Sequence, residues 1–188
     1  MLDKSTLGSV AIFLLDIIKI IIISLLIIVP IRYFLVQPFF VRGASMEPSY
    51  HNGDYLLIDE ISYRFSDPNR GDVIIFKFPG DPSIFYIKRI IGLPGETVII
   101  LNGQIIIKNE ESPEGFILKE KYIEELFSGD MEIILDYNDY FVLGDNRNAS
   151  HDSRRWGSLN VSLIIGKVFL RALPLGDIGL TNEPVYSE

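Results

Sequence analysis

Thr97-Val-Ile-Ile-Leu-Asn-Gly-Gln-Ile-Ile-Ile-Lys108 sets two apolar runs on either side of an Asn-Gly pair. Both turn residues tolerate positive φ, so the pair predicts a two-residue hairpin, and the flanking Val and Ile suit a pleated, half-buried surface. The same pattern continues in both directions. Short apolar runs at Tyr55–Ile58, Val73–Phe78, Ile84–Ile91, Met131–Leu135, Tyr140–Leu143 and Leu163–Leu173 are separated by turn-forming clusters. These include Asn52-Gly-Asp54, Asn69-Arg-Gly-Asp72, Pro79-Gly-Asp-Pro82 and Leu93-Pro-Gly95. The pattern predicts a mainly β domain. The stretch 102–129 is more polar, with Glu110-Glu-Ser-Pro-Glu-Gly115 and a short amphipathic piece near Tyr122 to Phe127, and reads as a small cap inserted on the main sheet. After Leu175 little remains to bury, so 176–188 is expected to be a flexible tail.

Upstream, Val10 to Val36 is almost continuously Ile, Leu, Val and Phe, interrupted by Asp16, Lys19, Pro30 and Arg32. About 20 apolar residues span a bilayer, so a single transmembrane helix over 10–36 is expected after a short N-terminal tail, 1–9. Asp16 and Lys19 are three positions apart, share a helix face and can neutralise each other. A cleavable secretory signal is the rival reading, but the run is long for one and Tyr33-Phe-Leu-Val-Gln-Pro38 is not a small-x-small cleavage site. Basic residues are balanced across the run, so charge alone does not orient it. Nine residues separate Val36 from Ser45, which tethers Ser45 within roughly 30 Å of the membrane surface. Phe39 and Phe40 fit either the membrane interface or a protein core.

At 188 residues and 48% apolar composition, the chain can build one modest core and a membrane segment. A net charge of −8 with no basic cluster disfavours nucleic acid as a partner. The chain has no cysteine, which removes disulfides, thiolate nucleophiles and cysteine-based zinc sites. His51 and His151 are the only histidines and no His-Glu-x-x-His spacing exists, so neither a metal nor a cofactor is expected.

Three segments carry candidate chemistry. Ser45 lies in Val41-Arg-Gly-Ala-Ser-Met-Glu-Pro-Ser49, where Gly43 and Pro48 suit a rigid turn that presents a hydroxyl and its own N–H together. An ordinary loop serine fits the same residues. A serine needs a base to remove its proton. Lys88 lies in Tyr86-Ile-Lys-Arg-Ile-Ile-Gly-Leu-Pro-Gly95, and strand alternation puts Ile84, Tyr86, Lys88 and Ile90 on one face and Phe85, Ile87, Arg89 and Ile91 on the other. Each face carries one cation, one of which is expected to escape burial. Arginine does not deprotonate, so Lys88 alone can become a neutral base if burial lowers its pKa towards about 8. The alternative is a lysine that snorkels from the strand. In Gly144-Asp-Asn-Arg-Asn-Ala-Ser-His-Asp-Ser-Arg-Arg-Trp-Gly157, Ser150, Asp152 and Arg154 share a side if the backbone is extended. A polar surface loop fits that composition as well. A serine–histidine mechanism is the weaker rival, because His151 and Asp152 diverge on an extended segment and His51 reads as a loop residue.

Taken together, these three segments resemble those of bacterial type I signal peptidases, over most of the chain after Pro38. The resemblance implies a transmembrane helix followed by an all-β catalytic domain, here 37–101 and 130–175, with a variable β subdomain in the region of the 102–129 cap. It implies Ser45 as nucleophile, Lys88 as general base, Ser150 as the hydroxyl that orients the lysine, and Asp152 and Arg154 as a supporting ion pair. It also implies a single-pass protein of the cytoplasmic (inner) membrane with its catalytic domain on the outer face. The partners implied are the lipid bilayer and secretory preproteins with small residues before the cut; no oligomeric state follows. Asn52-Gly-Asp54 and Arg70-Gly-Asp72-Val-Ile-Ile-Phe76 also match the family's segments and read as turns entering buried strands. Two places depart from the pattern. Asn148 and Ala149 stand where Asp and Asn are common, and Gly43 stands where some members place a serine that completes the oxyanion hole. The alternatives are a self-cleaving Ser/Lys protease of the repressor type and a non-catalytic, membrane-anchored β domain that binds partners.

Overall fold

The computed structural model describes residues 4–34, 36–123, 127–181, 184 and 186, with the side chains at 4–11, 29–34 and 36 left out. The expected amphipathic piece near Tyr122 to Phe127 therefore falls partly outside the described residues, as do the first residues of the 1–9 tail.

The Asn-Gly pair turns as its chemistry requires, with Asn102 at φ 50° and Gly103 at φ 75°. β5 (Thr97–Leu101) and β6 (Gln104–Lys108) pair antiparallel from Leu101 with Gln104 outward. Alternation then sends Val98, Ile100, Ile105 and Ile107 to one buried face. β7 (Phe116–Ile117) and β8 (Met131–Ile134) complete a four-stranded sheet in the order β7-β6-β5-β8. This sheet begins at Thr97 and ends at Ile134, so it takes in strands on both sides of the expected 102–129 insertion. Its buried face packs with Phe127, Leu135, Phe141 and Leu143 in one core cluster.

The larger sheet among the described residues has eight strands. It contains β1 (Val36–Phe40), β2 (Tyr55–Asp59), β3 (Val73–Phe78), β4 (Asp81–Gly92), β9 (Asp139–Leu143), β10 (Leu159–Asn160) and β11 (Ile164–Leu173), in the order β1-β2-β11-β3-β4-β9-β10. The eighth, β12 (Gly179–Leu180), pairs with β11. Tyr186 packs against the core of the smaller sheet, and its hydroxyl lies 3.0 Å from that of Tyr122. Within 176–188, Gly179–Leu180 thus has a strand partner in β11 and Tyr186 an aromatic neighbour in Tyr122.

β4 is central, paired to β3 through Ile74–Lys88 and to β9 through Arg89–Leu143. Lys88 and Arg89 are each only 4% exposed. The expectation that one of these adjacent cations escapes burial is corrected: both sides of this strand are covered. Arg89 is accommodated by a bidentate pair with Asp145, at 2.9 Å and 2.6 Å, and by the Gly71 carbonyl at 2.9 Å. Burial opposes its charge, but the Asp145 hydrogen bonds and field outweigh burial and raise its pKa further.

Before the sheets stands α1 (Lys4–Phe34). Over 12–28 its large apolar side chains are exposed, from Ile12 at 63% to Ile28 at 57%. Among the described residues no helix is long and apolar enough to cross a membrane; the side chains described in α1, 12–28, fall short of the ~20 residues that a bilayer core takes. β1 follows after one residue and pairs with β2. Phe39 turns into the core and Phe40 outward, 63% exposed.

Removing one member of a buried ion pair strands the other charge in low dielectric. Asp145→Ala is expected to cost ~3–5 kcal/mol in urea unfolding, whereas the double change Arg89→Met with Asp145→Leu loses less. A double variant as unstable as the single one would contradict this account of β4.

Candidate active site

Ser45 lies in a turn anchored by its neighbour. Met46 is fully buried in the cluster that includes Val41, Tyr50, Leu56 and Ile58. Backbone hydrogen bonds from Glu47 to Ala44 and from Tyr50 to Met46 close the turn. Gly43 adopts φ +89° and its N–H donates to Asn52 Oδ1 at 3.0 Å. A Cβ at Gly43 would meet open space; the positive φ, more than crowding, favours glycine there. The Ser45 carbonyl accepts from Asn146 N at 3.1 Å, while the Ser45 N–H has no partner among the described residues.

Lys88 arrives from β4. Its Nζ lies 2.8 Å from Ser45 Oγ and donates to the Ile87 carbonyl at 2.7 Å, 5.4 Å from the centre of the Tyr86 ring. Burial lowers its pKa to about 8, against the opposing pull of Asp152 and Asp145. The charged amine therefore costs ~3 kcal/mol relative to a solvated lysine. The unfolded chain holds this proton to a higher pH than the native one, so the penalty is full below about pH 8 and fades as pH rises towards the ordinary lysine value. The snorkelling alternative for Lys88 does not describe this side chain.

The loop after β9 frames the pair. It runs through a 3-10 turn at Arg147–Ala149 into the short helix α2 (Ser153–Trp156). The extended backbone considered for 150–154 is found at Ser150 and Asp152 and gives way to α2 from Ser153, so Arg154 lies on a helix. Asp152 caps α2 by accepting from Arg154 N, which starts a helix instead of continuing a strand. The pairing of Asp152 with Arg154 nevertheless forms, at 2.8 Å from Nε to Oδ1 and 2.9 Å from Nη2 to Oδ2. Burial acts to raise the Asp152 carboxyl, but the Arg154 hydrogen bond and charge hold it below the usual carboxylate range. Asp152 also accepts from Gly144 N at 3.1 Å, and Arg147 Nε donates to Gly144 O at 3.0 Å, so the loop closes on itself.

Ser150 is brought close to this cluster but not into a bond with Lys88. Its hydroxyl is buried and makes no hydrogen bond among the described residues, lying near enough to Asp152 to favour the charged carboxylate without bonding geometry. His51 is exposed in a turn, with its N–H on Asp54 Oδ2. His151 lines the same groove as Ser45 and Lys88 and makes no hydrogen bond to Ser45. The groove has a volume of about 740 Å³. A second cavity, about 620 Å³, is bordered by Arg89 and Arg171, whose charges are met by Asp145 and Asp54. It contains no comparable pair of alcohol and amine. Among the described residues no group of three or more His, Asp or Glu is arranged to hold a metal ion.

Sequence reasoning missed three supports: Met46 as the anchor of the turn, Asp145 as the partner of Arg89, and Glu120, whose carboxylate receives both terminal nitrogens of the buried Arg147 at 2.7 and 2.6 Å. Glu120 lies in the segment read as a polar cap, and nothing local marks it as different from Glu110 or Glu111. Asp145 does carry a signal, since a buried arginine on a central strand demands a carboxylate from elsewhere.

Gly144 is closely packed between the Ser45 turn and Ser150. A Cβ there would lie 2.3 Å from Ser150 Oγ and 2.4 Å from the Ser45 carbonyl oxygen. Gly144→Ala is expected to destabilise by ~1–3 kcal/mol through overpacking, and to lower catalytic turnover by more than the loss of folded protein explains. Unfolding curves and active-site titration check this; an unaffected variant would mean the loop does not hold Ser45.

The Signal peptidase, peptidase S26 family model matches residues 14–173 of the chain. A probable signal peptidase I-2 of Synechocystis sp. is 33% identical over 176 residues, covering 90% of this chain and 78% of that protein. Signal peptidase I of Leptolyngbya laminosa is 35% identical, covering 91% and 85%. Signal peptidase I T of Bacillus subtilis is 37% identical over 142 residues, covering 72% of each. The family match spans the Ser45 turn, β4 and the loop after β9 alike, and the chain belongs to the signal peptidase family, peptidase S26.

Proposed function

We propose that this chain is a type I signal peptidase, a serine endopeptidase that removes N-terminal signal peptides from secretory preproteins, with Ser45 as nucleophile and Lys88 as general base. The observation that carries the assignment of roles is the 2.8 Å approach of a buried amine to the Ser45 hydroxyl. Family membership supports the reaction, and the alternatives of a self-cleaving repressor or a non-catalytic binding domain have no comparable support.

Each step follows from this geometry. Neutral Lys88 accepts the Ser45 proton as Oγ attacks the scissile carbonyl carbon. The oxygen that gains charge meets the Ser45 N–H, whose donor is unspent among the described residues. The Gly43 N–H is occupied by Asn52, so it is not the second donor. As the tetrahedral adduct collapses, the lysine returns its proton to the departing amine nitrogen, and an acyl-serine remains. Water, deprotonated by the same amine, then hydrolyses the ester. Asp152 and Arg154 fix the loop against which Ser45 rests, and Ser150 fills the space under Gly144 beside them.

The exposed apolar surface of α1 supports a reading of 10–36 as a membrane anchor, ahead of a catalytic body over 37–101 and 130–175 with 102–129 as its cap. The single-pass topology, the catalytic domain on the outer face of the cytoplasmic membrane, and small residues before the cut are carried over from the family. On this reading a precursor and Ser45 meet at one membrane surface.

Ser45→Ala and Lys88→Met are each expected to lower preprotein cleavage by at least ~1,000-fold while leaving the fold intact. Cleavage that persists in either variant, followed by gel shift of a purified precursor, would overturn the assignment. The pH dependence has a definite sign. The active amine is the neutral one, so kcat/KM is expected to rise about tenfold per pH unit below about 8 and to level off above it. A profile flat from pH 6 to 9 would contradict a lysine base.

A further inference from the structure

The groove holding Ser45 and Lys88 has two unlike walls. One is apolar: Phe39 from β1 meets Phe85 from β4 with ring centres 5.7 Å apart, and Leu56, Ile75 and Ile87 continue the surface. The other carries Tyr86, Ala149 and His151. Among the described residues no Asp or Glu lines this groove, although the chain has a net charge of −8; the charged or titratable side chains described there are Arg42, Lys88, Tyr86 and His151.

His151 is framed there. Its ring stands edge-on to Phe78 at 5.6 Å and to Tyr86 at 6.1 Å, and its Nδ1 lies 3.5 Å from the Tyr86 hydroxyl. Whichever tautomer it adopts, the imidazole carries a ring N–H, and the side chain is exposed. An extended substrate alternates its side chains between opposite walls. If the small residue just before the cut faces the apolar wall, the second residue before the cut and the first residue after it both face His151.

We propose that His151 determines specificity, favouring precursors with Asp or Glu at these two flanking positions and disfavouring Lys or Arg there. This deepens the signal-peptidase reading and rests on it. A carboxylate accepts from the imidazole N–H in a groove that no described Asp or Glu lines, while a basic side chain there meets another donor. The imidazole acts as a hydrogen-bond donor at the flanks and takes no part in transferring the serine proton.

The test uses the full chain in detergent micelles with matched precursors that differ only in the first residue after the cut, as Asp, Ala or Lys. The second residue before the cut is varied in the same way. The readout is the Asp-to-Lys ratio of kcat/KM within each enzyme. Wild type is expected to prefer Asp by ~3–10-fold, the scale of one hydrogen bond to a charged group at a partly exposed site. His151→Ala should bring the ratio towards one and His151→Glu should invert it. A ratio unchanged within twofold across wild type, His151→Ala and His151→Glu overturns the proposal. Should His151→Glu fail to fold, the ratios of wild type and His151→Ala decide in the same way. Failure of wild type to cleave even the Ala precursor would count against the peptidase reading itself.

Discussion

An amine withdrawn from water beside an alcohol has little to stabilise its positive charge, and the rest of this site is arranged around that deficit. Lys88 is covered because it lies on the central strand of the larger sheet, with β3 on one side and β9 on the other. Its nearest fixed anions, Asp145 and Asp152, are engaged with Arg89 and Arg154. Their pull on the lysine is therefore too weak to offset desolvation, and the pKa settles at about 8. Had either carboxylate been left to Lys88 alone, the same burial would have produced a permanent ammonium ion pair.

The arginines thus do more than brace loops. Arg89 holds Asp145, whose neighbours are Gly144, pressed against Ser45, and Asn146, bonded to the Ser45 carbonyl. Arg154 holds Asp152, which in turn grips the Gly144 amide. Arg147 ties this loop to Glu120, in the segment between β7 and β8. Three buried ion pairs converge on a single short loop, and this loop sets where the serine stands relative to the amine. The cost of burying so many charges is offset only because each is bonded at several points.

Much of this was legible in the residues. β3, β5 and β6 follow the limits that their apolar runs and turn residues suggest, because binary patterning and Asn-Gly chemistry act locally. Ser45 and Lys88 were legible as a pair through family resemblance, and strand alternation marked Lys88 as a cation on an apolar face. Local pattern could not show that Arg89 is buried as deeply as Lys88, since that depends on Asp145 arriving from more than fifty residues away. Nor could it show that 153–156 winds into a helix, where a side-chain cap at Asp152 overrides an otherwise extended composition. β12 and the placement of Tyr186 were illegible for a similar reason: two residues of strand and one ring acquire meaning only against β11 and Tyr122.

The most direct measurement is the titration of Lys88 itself. With the chain labelled with carbon-13 at lysine Cε, one resonance should titrate near pH 8, and that resonance should vanish in Lys88→Met. If every lysine resonance instead titrated near about 10.4, the amine would be solvated and charged at neutral pH, and the account of this site would be contradicted.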